Sequence, residues 1–492
     1  MKKLFMALVM TGLTGGANVS ALNNAAQIND RFDDLTVTAS DIKDLAAKDG
    51  AAVKPEIYQN DSAGAAAALK ASNLKWYGSD SRRARMQFTT YMLYKIPSEY
   101  TGPVSRILEN QEQNEIVSEL VGLQLQHMYG AFTTHPGFED APGIPSGNYK
   151  MTLLGAEKVP NESYAKITYS YDDIVVFSSK LFPGGSGMQR IQFVLPKDPV
   201  TIYRKGFAAS NSRKNLCTDE HYNSEDDFWY FWNPYQEGCP LTGADLVGIT
   251  TDLRPMDVTR GTYPEYAKLY GENGNGNVLQ VTYIVGIDES YQNGDLGKKT
   301  FQDAFAGLKA AGFQATVNEP RRKMLSLHAG SKRVSIEMQL MNPYSSMEFV
   351  KAAVHGMQTS DIFLYDGHSG LGGYLSPERL AEDIGRPLEL PKNKYQIFVF
   401  QGCSTYAYYN TAFFNLKRSG SDPKGTKNLD IITTGIGAAF DVGAKVDVAF
   451  LTSVTMGQKP SWQTIIDRVH AAEGENSALS HINGDEDNPR NP

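Results

Sequence analysis

Residues 362–370 read IFLYDGHSG and residues 397–404 read IFVFQGCS. Each is a short apolar run that breaks into glycine and then a residue able to do chemistry. Four consecutive apolar residues bounded by turn-forming residues predict a strand buried on both faces, the kind found in parallel sheets covered by helices. The segments around the two runs carry the helical period that would supply the cover. Ser346 to Met357 places Met347, Val350, Val354 and Met357 at i, i+3, i+7 and i+10. Ser376 is a good N-cap, with Pro377 fitting the first helical position and Glu378 near the positive helix end.

Outward from this centre the alternation continues. Strands are predicted at Val278–Ile287, Val334–Met341, Ile362–Tyr365, Tyr395–Phe400 and Ile431–Thr434. Helices are predicted at Lys298–Phe313, with Phe301, Phe305 and Leu308 on one face, and from about Thr405. The expected class is α/β, a mostly parallel sheet flanked by helices. Chemistry in such sheets gathers beyond the carboxyl ends of the strands. If the two quoted strands are parallel neighbours, His368 and Cys403 emerge on the same edge.

A His after one hydrophobic strand and a Cys after the next resembles the cysteine peptidase superfamily of caspases, legumains and gingipains. The resemblance covers about 278–470 and rests on YDGHSG and FQGCS, 35 positions apart from His to Cys. It implies a caspase-like fold, a polypeptide substrate, no cofactor, and catalysis by Cys403 and His368 through a thioester. It also implies an oxyanion hole made by the N–H groups of Cys403 and Ser369. The family usually has Gly directly after the His; this chain has Ser369, with Gly370 one step later. Ser keeps the N–H but is less free in φ. A reactive Cys is expected to have a lowered pKa, whereas a buried structural one is inert. Asp441 and Asp447 follow the next strand and could favour a basic side chain before the scissile bond.

Two other function classes compete. Gly367 to Leu371 (GHSGL) is one residue short of the nucleophile elbow G-x-S-x-G, and Asp441 or Asp447 and then His470 follow in hydrolase order. That would make Ser369 the nucleophile of a serine esterase or lipase. The elbow should lead straight into a helix, however, and Leu371–Leu375 reads as a loop. The third class is a non-catalytic binding protein on a degenerate peptidase fold, with Cys403 a small buried hydrophobe and His368 a turn residue.

The first half reads differently. Residues 1–21 carry Lys2 and Lys3, an apolar Leu4–Leu13 core and a small-residue end at Val19-Ser20-Ala21, the pattern of a cleaved signal peptide. The apolar stretch is too short to span a bilayer, and no later run approaches ~20 residues. No Cys sits near the cleavage site, so a lipoprotein is not expected and the product is exported, periplasmic or secreted. Residues 22–80 read as a loosely ordered approach segment. An α+β domain is expected over 81–270, with a strand at Arg85–Ile96 and a helix over 109–130. Short strands follow at Tyr149–Leu154, Ala165–Tyr171, Ile174–Phe177 and Ile191–Leu195, separated by Gly, Pro and Asp172-Asp173 turns. The polar, Gly-rich Gly271–Asn277 reads as a linker before the 278–470 domain, and 471–492 as a flexible tail.

The chain of 492 residues suggests two to four domains at a prior of about 150 residues each. A hydrophobic fraction of 41% excludes wholesale disorder, and the net charge of −8 argues against nucleic acid as a partner. Only Cys217, Cys239 and Cys403 are present. A Cys217–Cys239 disulfide would leave Cys403 unpaired in an oxidising compartment. His221 with Asp219, Glu220, Glu225, Asp226 and Asp227 could bind a hard cation such as calcium, but the ligand spacing is absent and a solvated disulfide loop is the better reading. His127, His135, His328, His355, His470 and His481 show no metal-ligand spacing, and no metal is expected. The sequence leaves the oligomeric state open.

Overall fold

The computed structural model describes residues 81–492 except 139, 183–186, 209–213, 219–224, 226, 257–260, 273–275, 345 and 475–476. The leader, the approach segment and Asp219, Glu220, His221 and Asp226 of the candidate cation cluster lie outside these residues. The described chain is mixed α/β and divides into two compact units, residues 83–256 and residues 257–492 with 81–82. The second unit thus begins before the Gly-rich tract that reads as a linker.

The first unit holds strands β1 (Ser81–Lys95), β2 (Gly143–Ile144), β3 (Lys150–Lys158), β4 (Tyr164–Ser178), β5 (Gln189–Pro196) and β6 (Leu246–Pro255). They form one sheet in the order β2-β4-β1-β6-β5, with β3 on β4. Alternation sets its faces: Ala84, Met86, Phe88, Met92 and Tyr94 are buried while Arg85, Gln87 and Thr89 are exposed. Helix α1 (Gln111–Gln126) begins at Asn110, whose side chain accepts from the Gln113 N–H at 3.0 Å. It buries Val117, Leu120, Val121 and Leu125 in one cluster with Phe88 and Phe193, each side chain contributing about 1.5–3 kcal/mol. A separate helix, α2 (Met128–Thr134), follows across His127, so the expected single helix over 109–130 is two. Short helices α3 (Ile202–Ala208) and α4 (Phe228–Phe231) come later, and Cys217 and Cys239 are joined by a disulfide.

Asp172-Asp173, expected to break a strand, lies inside the continuous β4. Asp172 pairs with Arg85, while the buried Asp173 accepts from the Ser146 N–H, the Ser146 hydroxyl, the Tyr171 hydroxyl and the Ile174 N–H. Tertiary donors overrode the turn preference of the dipeptide.

The second unit is built on an eight-stranded sheet. Its strands are β7 (Val278–Gly286), β8 (Gln314–Asn318), β9 (Arg322–Ala329), β10 (Lys332–Met341), β11 (Ile362–Asp366), β12 (Gln396–Gln401), β13 (Leu429–Thr433) and β14 (His481–Asn483). The order is β14-β13-β12-β11-β7-β10-β9-β8. The β10–β7, β7–β11, β11–β12 and β12–β13 pairs are parallel, while β8, β9 and β14 run antiparallel at the edges. Every residue of β11, β12 and β13 is buried, as the two apolar runs predict.

Helices α5 (Leu296–Ala310), α6 (Met347–Thr359), α7 (Pro377–Ile384), α8 (Thr405–Tyr409), α9 (Phe414–Lys417), α10 (Phe440–Thr455) and α11 (Trp462–Glu473) accompany the sheet. Ile362, Leu364, Ile397 and Val399 pack in one cluster with Phe301 and Leu308 of α5, Phe450 and Leu451 of α10 and Trp462 of α11. The alternate residues Tyr365, Phe398 and Phe400 meet Phe349 of α6, Phe413 and Tyr409. Ser376 caps α7 as expected, accepting from the Arg379 N–H at 3.2 Å. The expected flexible tail is instead structural. Ile431, Ile432 and Thr433 pair with Asn483, Ile482 and His481, and Ile482 is fully buried.

Candidate active site at the carboxyl ends of the parallel strands

Along the chain the parallel strands run β7, β10, β11, β12, β13, yet in space β7 lies between β10 and β11. The strand order therefore reverses at β7, and the crevice at such a switch point is where α/β sheets place ligands. Asp288 follows β7 and His368 follows β11, on either side of that crevice. The registered pair Asp366–Gln401 brings the ends of β11 and β12 level. The Gly367 N–H donates to the Gln401 carbonyl at 3.0 Å. A Cβ at Gly402 would lie 2.5 Å from the Gly367 carbonyl, so only glycine permits this contact. The two residues that follow, His368 and Cys403, thus start from abutting backbones on one sheet edge.

His368 is held on several sides. Its Nε2 lies 2.8 Å from Asp288 Oδ1, its carbonyl accepts from the Tyr365 hydroxyl at 2.7 Å, and the Phe440 ring meets it edge-on at 5.2 Å. A carboxylate at Nε2 accepts the ring N–H and leaves the Nδ1 lone pair as a base. The His368 and Asp288 side chains are 31% and 26% exposed, open enough for a substrate to reach. Asp288 is itself fixed by its neighbours. Asp295, the N-cap of α5, accepts from the N–H groups of Asp288, Glu289, Ser290 and Lys298 at 2.8–3.2 Å. Burial pushes the Asp295 carboxyl up, but these donors outweigh it and hold it below its ordinary value.

Cys403 is the free cysteine and is half-buried. The turn after it is tied to the end of β13. Ser404 adopts φ 55°, uncommon for a residue with a side chain, and donates its N–H to the Ile436 carbonyl at 3.2 Å. The Ala438 N–H hydrogen-bonds to the thiol, yet burial dominates and pushes its pKa up. This differs from the lowered value expected of a reactive Cys. The cause is packing without a fixed positive charge beside the sulfur.

Among the described residues, no hydrogen bond engages the backbone N–H of Ser369 or that of Cys403. Ser369 is buried, and its segment continues through turns until α7 begins at Pro377. It therefore lacks the helix that a nucleophile elbow requires. His470, the proposed hydrolase partner, sits in the last turn of α11, 3.5 Å from the Glu473 carboxylate. Asp441 is exposed in the first turn of α10, beside the residue that touches His368. Asp447 is buried, accepts from the Tyr283 hydroxyl and faces Asp366, so it cannot receive a substrate's basic side chain as expected from sequence. Sequence reading missed Asp288. Its one available signal was position, an acid two residues past the first parallel strand.

Of the other expected ligands, Glu225 has Arg204 at 4.0 Å. Among the described residues, no group of three or more His, Cys, Asp or Glu is placed to hold a metal ion. Nor is any described helix long and apolar enough to cross a membrane. The chain matches no protein-family model and no curated protein at a significant level.

Proposed function

We propose that this chain is an exported cysteine endopeptidase, similar in site and sheet to the caspase, legumain and gingipain superfamily. The observation that carries the reading is that an imidazole oriented by Asp288 follows β11 while the free thiol follows the neighbouring parallel strand β12. Because burial holds the resting thiol protonated, His368 acts as a general base during attack rather than as half of a standing ion pair. The Cys403 proton passes to Nδ1 as sulfur bonds to the scissile carbonyl carbon. The N–H groups of Ser369 and Cys403 donate to the developing oxyanion. The C–N bond then breaks, and the imidazolium returns its proton to the leaving amine. Water, deprotonated by His368, hydrolyses the thioester and the thiol is restored. The N-terminal pattern and the Cys217–Cys239 disulfide support export.

The raised thiol pKa favours a second reading, an inert Cys in a binding protein, and one pair of variants separates the two. In a peptidase, Cys403→Ala loses hydrolysis by about 10³-fold or more while the fold survives. Ser369→Ala retains the backbone donor and most of the activity. A serine hydrolase gives the reverse pattern. A binding protein shows no hydrolysis in wild type and no selective effect of either change.

A further inference from the structure

We propose that Asp366 and Asp447 form a clamp closed by one shared proton, which positions α10 against the His368 side of the site. The two carboxyl groups are buried side by side: Asp366 Oδ2 lies against Gly443, one helical turn before Asp447, and each acid shifts the other's titration. Asp366 is the last residue of β11 and Asp447 lies within α10, so the contact ties strand to helix. The Tyr283 hydroxyl of β7 faces the pair and donates to Asp447, while Tyr365, on the opposite face of β11, and His368 act on Asp366 through charge alone. Among the described residues, no Lys or Arg pairs with either acid. Asp366 Oδ2 and Asp447 Oδ1 are buried without a donor. Gly443 lets the helix approach, since a Cβ there would lie 2.6 Å from Asp366 Oδ2.

Two ionised carboxylates cannot share such a site without a cation, so one proton must sit between them. Burial pushes both groups up, and Asp366 pushes Asp447 further. The clamp matters because of what its helix carries. Phe440, the first residue of α10, rests on the His368 ring, and the preceding Ala438 donates its N–H to the Cys403 thiol. Opening the pair would free the helix start that forms this wall. A folded-state pKa raised above the unfolded value gives stability that is present at low pH. That stability is lost as pH rises through the folded titration.

The structural claim stands alone; only its consequence for hydrolysis rests on the peptidase reading. The test compares wild type with Asp447→Asn, whose carboxamide donates to Asp366 without a titrating proton, and with Asp447→Ala, which removes the clamp. Melting temperatures are measured from about pH 5 to about pH 9, alongside alkylation of Cys403 by iodoacetamide. The wild-type melting temperature should fall by about 2–4 °C relative to Asp447→Asn as pH rises from the acid end of this range. The variant-to-wild-type ratio of alkylation rates should drift over the same range. Asp447→Ala should alkylate faster than wild type at every pH. Parallel curves for wild type and Asp447→Asn would overturn the shared proton.

Should the variants fail to fold, infrared spectra of wild type labelled with carbon-13 aspartate decide the matter. A protonated-carboxyl band that persists at neutral pH and survives Asp430→Asn, which removes the other strongly raised acid of this unit, supports the clamp, and its absence rejects it. Failure to hydrolyse any peptide would sink the peptidase reading yet leave the melting and infrared results decisive for the pair.

Discussion

Two buried acid sites, one in each unit, are supplied in opposite ways. In the first, Asp173 of β4 is enclosed by four donors, two from Ser146 in the loop after β2 and one each from Tyr171 and Ile174. In the second, Asp366 and Asp447 have, among the described residues, only each other and the Tyr283 hydroxyl, at the ends of the parallel strands. Parallel strands all finish on one edge, so loops, unengaged N–H groups and side chains such as His368 and Cys403 collect there. An acid supplied with donors stabilises one structure; an acid supplied with another acid leaves the structure dependent on a proton. Under the proposed function this gives a division in which the first unit supplies stability and the second the chemistry.

Changes in each unit can break that division, beginning with the largest expected effect. Replacing Cys217 and Cys239 by Ser opens a disulfide with a sequence separation of 22 and should cost the first unit about 3 kcal/mol. Urea unfolding followed through Trp229 and Trp232 would measure it, while alkylation of Cys403 should stay unchanged. A matching change in Cys403 reactivity would show that the division is false.

Asp288→Asn acts on the other side of the comparison. Loss of the carboxylate that fixes the His368 ring should lower kcat/KM by about 100-fold, mostly in kcat, with melting barely moved. An unchanged rate would remove Asp288 from the site. Asp295→Ala removes both a helix cap and the anchor of the Asp288 loop, so it should cost about 1–2 kcal/mol. It should also lower kcat by less than Asp288→Asn does. A stability loss with unaltered kcat would mean that the loop holds its shape without Asp295. The smallest effect belongs to Ser376→Ala, which deletes the α7 cap. It should cost about 1 kcal/mol by denaturation and leave hydrolysis alone.

Local pattern made much of the second unit legible. Runs such as IFLY and IFVF can be satisfied only by burial on both faces, and Ser376-Pro377-Glu378 supplies helix-start chemistry within three residues. Asp172-Asp173 misled because a dipeptide states only a turn preference, and the donors that hold it in a strand come from Arg85 and Ser146. The closing residues misled for a related reason. Polar and Pro-ended, they nonetheless bury Ile482 by pairing with a strand about 50 positions earlier, a contact no local rule reports.

The sequence by itself determined that two buried strands end in Gly-His and Gly-Cys, that three cysteines leave one over, and that helices separate the strands. Each of these follows from side-chain chemistry and spacing within a few residues. Only the tertiary structure decided that β11 and β12 are neighbours, that Asp288 meets His368 across 80 positions, and that Asp447 faces Asp366 instead of solvent. The physical reason is the same in all three cases. Sheet order and helix docking are set by the sum of buried contacts over the whole unit, and residues remote in sequence become partners only when that sum fixes one arrangement.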